Sequence, residues 1–243
     1  MKKIEDILNI GKKEVISFVG AGGKTTTIQR LSMKLRKIGK VLSTTSTAIM
    51  KPSKDDYDVI YIGEIPYEYL PDMKSITVYG EYEQNGKLGS KDISKIDELI
   101  ARGIFDYILI EADGANRRPI KAPNTYEPMI SEFTTTTIGV LGVECLNRRI
   151  GEIAHRPELF SKIVHKDIYD FIDYEDILKL TLHKEGLFKN SEGRKILFLN
   201  KVEDSQLDII GKIEERLVNF GIDVAIGRMG THLVQGGEIF YKL

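Results

Sequence analysis

Short apolar runs alternate with longer amphipathic stretches along most of this chain, and the runs tend to end in small or polar residues. Residues 15–19, 107–110, 135–141 and 196–199 are continuous or β-branched apolar runs of the kind that form strands buried on both faces. Shorter strands are expected at 41–44, 58–62, 75–79 and 224–226. Helical spacing runs over 25–38, 92–103 and 207–220, each closed by a glycine at its end: Gly39, Gly103 and Gly221. Residues 157–190 read as mostly helical, with Pro157 suited to a first helical position and Gly186 to a stop. A short helix is expected over 1–14. Asn85-Gly86 marks a hairpin turn within 81–90. No internal repeat, low-complexity tract or linker interrupts this order. The pattern predicts an α/β fold: one domain over 1–243, three-layered, with a mostly parallel sheet covered on both faces. In such folds ligands sit beyond the carboxyl ends of the strands, so the residues just after each apolar run are the candidates for chemistry.

The first of these is Gly20-Ala21-Gly22-Gly23-Lys24-Thr25-Thr26, between the strand at 15–19 and the helix at 25–38. Strand, glycine-rich turn and helix together form a phosphate cradle. Backbone N–H groups at a helix N-terminus face anionic oxygens, and the helix dipole adds to the attraction. Lys24 would reach the β/γ-phosphates and Thr25 would ligate Mg²⁺. The full Walker A spacing is not met, because Phe18 stands where its first glycine would be. The shorter G-x-x-G-K-T-T resembles the loop of Mur-type ligases and their relatives, and the expected fold is accordingly P-loop NTPase-like.

The run 108–110 delivers Glu111-Ala112-Asp113-Gly114 in the manner of a Walker B strand. One acid would hold the metal and the other would orient the attacking water; the sequence does not divide these roles. Arg117, Arg118 and Lys121 follow within a few residues. Arg118 or Arg117 would stabilise charge on a transferring phosphoryl group or bind an acidic second substrate; a solvated basic loop is the competing reading. Thr45, past the second strand, is a candidate to complete the Mg²⁺ shell. Asn200-Lys201-Val202-Glu203 resembles the base-reading N-K-x-D of GTPases, with Glu203 in the acid's place. That departure leaves ATP and GTP both open. His155-Arg156-Pro157 reads more simply as the lead into a helix.

Composition narrows the classes further. The 243 residues carry a formal net charge of −1, with 42% hydrophobic and 29% charged residues. That balance is not the basic footprint of bulk nucleic-acid binding. Cys145, in an apolar run, is the sole cysteine, so no intrachain disulfide can form and a buried structural thiol is expected. One cysteine and four scattered histidines leave no zinc-type cluster. No apolar run approaches the roughly 20 residues that span a bilayer, and the N-terminus lacks a signal-peptide core. A cytoplasmic protein without membrane contact is expected.

Taken together, the glycine-rich loop, Glu111-Ala112-Asp113-Gly114-Ala115 with Arg118-Pro119-Ile120-Lys121, and His155-Arg156-Pro157 resemble the YqeC family. Its members are regarded as accessory proteins of selenium-dependent molybdenum hydroxylases. The resemblance implies a P-loop nucleotide-binding fold and a molybdenum hydroxylase as client. The leading expectation is a Mg²⁺-dependent nucleoside triphosphatase or switch that uses ATP or GTP. A phosphoryl or nucleotidyl transferase or ligase acting on a pterin cofactor or small acid is the second, and a non-catalytic nucleotide-binding scaffold the third. Many proteins with this loop type work as dimers, so a homodimer is among the expectations.

Overall fold

The computed structural model describes residues 8–228 and, as backbone, 239–242. Fourteen strands are formed among them: β1 (Glu14–Gly20), β2 (Val41–Thr45), β3 (Ala48–Met50), β4 (Val59–Ile62), β5 (Ile76–Gly80), β6 (Tyr82–Gln84), β7 (Lys87–Gly89), β8 (Tyr107–Glu111), β9 (Ile120–Lys121), β10 (Thr136–Gly142), β11 (Ala154–His155), β12 (Arg194–Val202), β13 (Ile222–Arg228) and β14 (Ile239–Lys242). The helices are α1 (Lys24–Leu35), α2 (Ile93–Ala101), α3 (Ile150–Ile153), α4 (Pro157–Val164), α5 (Tyr174–Leu182) and α6 (Leu207–Leu217).

Nine strands make one sheet in the order β14-β13-β12-β10-β1-β8-β2-β5-β4. Every pairing in it is parallel except β13 with β14. Helices cover both faces, because successive residues of a strand point to opposite sides. Leu109 joins the apolar cluster that includes Ile28, Leu31 and Leu35 of α1. Its neighbours Ile108 and Ile110 join Ile96 and Leu99 of α2. Leu197 and Leu199 pack with Ile210, Ile213 and Leu217 of α6, and Phe160 of α4 and Ile177 of α5 belong to the same cluster. The runs expected to be buried on both faces are so: β8 and β10 are buried at every residue.

Strand β1 lies between β8 and β10, and the chain passes from one side of it to the other. That is the topological switch point, where the connections leave a crevice at the carboxyl ends of the strands. Gly20, the last residue of β1, stands at its mouth.

Most expected elements form, with shifted ends. Asn85 and Gly86 take φ of 52° and 70° and join β6 to β7. Asp92 caps α2 by accepting from Ser94 N at 2.9 Å. The helix expected over 25–38 ends at Leu35, because Ile38 N and Gly39 N both bond to Leu35 O and tighten the last turn. The stretch 157–190 holds only α4 and α5, separated by the turn-rich residues 165–173. Of the helix expected over 1–14, residues 1–7 lie outside the described residues; 8–13 are turns and bends, and Glu14 already belongs to β1. No helix of the described residues is long and apolar enough to cross a membrane.

Candidate functional site

The turn after β1 owes its shape to glycine. Gly20, Gly22 and Gly23 have φ of 90°, 85° and 129°, a region that side-chain-bearing residues enter only with strain. Space is equally decisive at Gly22, where a Cβ would lie 2.2 Å from Gly142 N and 2.8 Å from Pro119 O. Ala21 N bonds to Val140 O at 2.8 Å and Gly22 N to Arg118 O at 3.0 Å, which draws the turn against the end of β10 and the 118–119 segment. Asn200, at the end of β12, donates from Nδ2 to Gly22 O at 2.9 Å and is buried. Helix α1 then starts at Lys24 with Gly23 as its N-cap and no side-chain cap. Its leading N–H groups therefore have neither an intrahelical acceptor nor a capping side chain.

Lys24 is 3% exposed, and its amine sits among three oxygen-bearing groups. It donates to Gly20 O at 2.5 Å, and lies 3.0 Å from Asp113 Oδ1 and 3.7 Å from Glu111 Oε1. Burial disfavours the ammonium, but Asp113 and Glu111 outweigh it and raise the Lys24 pKa. Burial raises that of Glu111 in spite of Lys24 and of the hydrogen bond from Thr25. The Thr25 hydroxyl donates to Glu111 Oε2 at 2.8 Å. Asp113 Oδ2 accepts from Gly20 N at 3.0 Å, whereas Oδ1, fully buried, faces Lys24 without a well-directed hydrogen bond. The turn at Lys24 and the acids after Ile110 thus meet in one place, as β1 and β8 pair side by side with Phe18 opposite Glu111.

Behind Asp113 the charges continue. Lys121, in β9 and 1% exposed, lies 3.1 Å from Asp113 Oδ2 and 2.6 Å from Glu127 Oε2, and donates to Gly114 O at 2.7 Å. Arg156 grips Glu127 through both oxygens, at 2.6 and 3.0 Å. Burial opposes the Glu127 carboxylate, but the bonds from Arg156 and Lys121 prevail and hold its pKa at about 2. His155 pairs with Lys121 across β11 and β9. Burial, then the adjoining Arg156 and Lys121, keep its imidazole below its ordinary pKa.

The other residues singled out from the sequence fall differently. Thr45 is fully buried, and its hydroxyl donates to Glu111 O at 2.9 Å, so it ties β2 to the end of β8 through the main chain. Arg117 and Arg118 are exposed; the Arg118 guanidinium bonds to Glu152 O, away from Lys24. Asn200 reaches the glycine turn, while Lys201 (φ 63°) pairs with Glu144. Thr26 is exposed on the first turn of α1. Cys145 is buried, and its pKa is raised by burial. In the sequence Lys121 is either, with Arg117 and Arg118, a holder of a second substrate or one cation of a solvated basic loop; its flanks, Ile120 and Ala122, are apolar. Glu127 carried no signal in the sequence.

Thr25 and Glu111 offer hard oxygen donors side by side, as Mg²⁺ prefers. No cluster of three or more His, Cys, Asp or Glu suited to a metal occurs among the described residues. A cleft of about 330 Å³ is lined by Asn124, Thr125, Leu159, Lys162 and Lys189 among others, and does not include Lys24. The site at Lys24 is marked instead by its buried charges and by the uncapped start of α1.

The glycine turn, the buried Lys24 and the paired acids at a switch point define an α/β protein with a buried charged site at the end of β1. The chain belongs to the YqeC family, whose model matches residues 16–158. It is 32% identical over 215 residues to the protein described as "Uncharacterized protein YqeC" of Escherichia coli (strain K12), covering 83% of this chain and 84% of that one. No solved structure matches.

Proposed function

We propose that this protein binds a nucleoside triphosphate with Mg²⁺ through a P-loop-like turn and hydrolyses it, as a triphosphatase or switch. The carrying observation is the meeting of Lys24 with Glu111 and Asp113 at the uncapped start of α1, with Thr25 on Glu111. The leading N–H groups of α1 take the phosphates, and the helix dipole favours their charge. Lys24 exchanges Asp113 for the β/γ-phosphate oxygens. Thr25 and Glu111 would hold the ion, which when bound neutralises charge on the phosphates. Asp113 orients the attacking water. Catalysis of this kind is positioning and electrostatics. On this reading the work belongs to the maturation of a selenium-dependent molybdenum hydroxylase, the client that the family resemblance implies.

The test is titration with MgATP and MgGTP, and with their slowly hydrolysed analogues, followed by release of phosphate. Wild-type protein binds one of them, and Lys24→Ala loses the binding while its far-UV circular dichroism is unchanged. The fold survives that substitution because Glu111 can take up a proton and Asp113 keeps Lys121. Equal binding by the variant refutes the site. Tight binding without turnover under any partner supports the scaffold reading. ADP or AMP release that requires a pterin or small acid supports a transferase.

A further inference from the structure

We infer that Lys121 is a positioning residue for this reaction: it holds Asp113 in place after Lys24 has left it for phosphate. The inference rests on the nucleotide reading above. Three cations (Lys24, Lys121, Arg156) and three carboxylates (Glu111, Asp113, Glu127) alternate in one chain of ion pairs, buried from Glu111 to Lys121 and half-buried at Glu127 and Arg156. With no nucleotide this group is balanced. A triphosphate that draws Lys24 away removes the cation shared by Glu111 and Asp113. Glu111, beside Thr25, would have the ion as its counter-charge. Asp113 must find its counter-charge elsewhere, since an unpaired carboxylate at 2% exposure is strongly disfavoured.

Lys121 is built for that task. It donates to Glu127 Oε2 and Gly114 O and forms an ion pair with Asp113 Oδ2 at 3.1 Å, so it cannot swing toward a phosphate without breaking buried contacts. Glu127 is fixed in turn by the two bonds from Arg156, at the head of α4. Gly20 N and Lys121 share Asp113 Oδ2, which leaves Oδ1 as the oxygen that loses Lys24. The freed oxygen is then available to accept a hydrogen bond from water. Lys121 thus acts through Asp113 and touches neither nucleotide nor metal.

The experiment compares Lys121→Met, Asp113→Asn and the double variant with MgATP and MgGTP. Lys121→Met lowers kcat about 100-fold, the scale of a misplaced group, and leaves the nucleotide Kd within about threefold. In the double variant it costs nothing beyond Asp113→Asn alone. Unchanged turnover, or losses that multiply in the double variant, overturn the inference. Should Lys121→Met fail to fold, Glu127→Gln leaves the ammonium in place but loosens it; the fall is then about tenfold and again absent on the Asp113→Asn background. If wild-type protein neither binds nor turns over either nucleotide, the reading of the site fails. The shared grip on Asp113 is then measured by thermal denaturation of nucleotide-free protein. Lys24→Met and Lys121→Met each leave Asp113 one cation, and the double variant leaves none. Its Tm falls about 6–20 °C further than the two single shifts added together. Additive shifts overturn the claim that both lysines serve Asp113.

Discussion

Replacing Gly22 by alanine tests whether the turn after β1 is held open by backbone contact or merely by backbone conformation. Two costs apply. At φ 85° a Cβ brings strain of about 1–2 kcal/mol. The same Cβ would overlap Gly142 N at 2.2 Å and Gly142 Cα at 2.6 Å, atoms of the sheet that cannot swing aside as a side-chain tip could. Overpacking of that kind adds about 1–3 kcal/mol. Gly86 provides the control, since its φ is 70° and nothing lies within 4 Å of an added Cβ. There only the strain remains, offset by about 0.4–1 kcal/mol from the stiffer unfolded chain. The same offset applies at Gly22, so at about 2–4 °C per kcal/mol for a protein of this size, Gly22→Ala lowers Tm by about 2–18 °C and Gly86→Ala by less than about 6 °C. Differential scanning calorimetry of both variants at one pH and salt concentration decides it. Equal shifts at the two positions would refute the close approach of the turn to β10.

Asn200→Ala removes the bond to Gly22 O and leaves a buried carbonyl without its partner, a loss of about 1–2 kcal/mol. It shows as a lower Tm and a weaker grip on MgATP or MgGTP; an unchanged nucleotide Kd would separate Asn200 from the loop's function. Glu127 gives a pH signature. Its pKa is depressed from 4.5 to about 2, so the stability it lends is present above about 4.5 and is lost as pH falls through about 2. Glu127→Gln should therefore flatten the fall of Tm between those values, measured by circular dichroism melts. An undiminished acid limb would mean that Arg156 and Lys121 do not hold it.

The strands that carry the site were legible because their burial is written locally. In 107–111 and 136–142 each residue faces a covered layer, so apolar side chains follow one another without alternation. The glycine turn was legible for a related reason: a strand, small residues and a helix pattern fix where the backbone must go. The charge chain behind Asp113 was not. Glu127 and Arg156 stand 29 residues apart and meet only because β9 and β11 pair. Lys121 in sequence resembles its exposed neighbours Arg117 and Arg118, and only the β9 backbone turns it inward. Arg118 shows the converse: a well-placed cation by spacing, it spends its guanidinium on Glu152 O. The bond from the Thr45 hydroxyl to the main chain of Glu111 was not legible either, since it follows from the parallel register of β2 and β8, which sets those two residues side by side.

The bond from Asn200 to Gly22 spans 178 residues of chain. A turn that belongs to the first strand is therefore finished by the seventh in register, counted along the main sheet as the chain is made. During synthesis β1, β8 and β10 emerge well before β12, so the turn gains its last brace late in folding. Contacts of such separation form slowly, and a partly made chain holds the glycines and the lysine without the latch that fixes them.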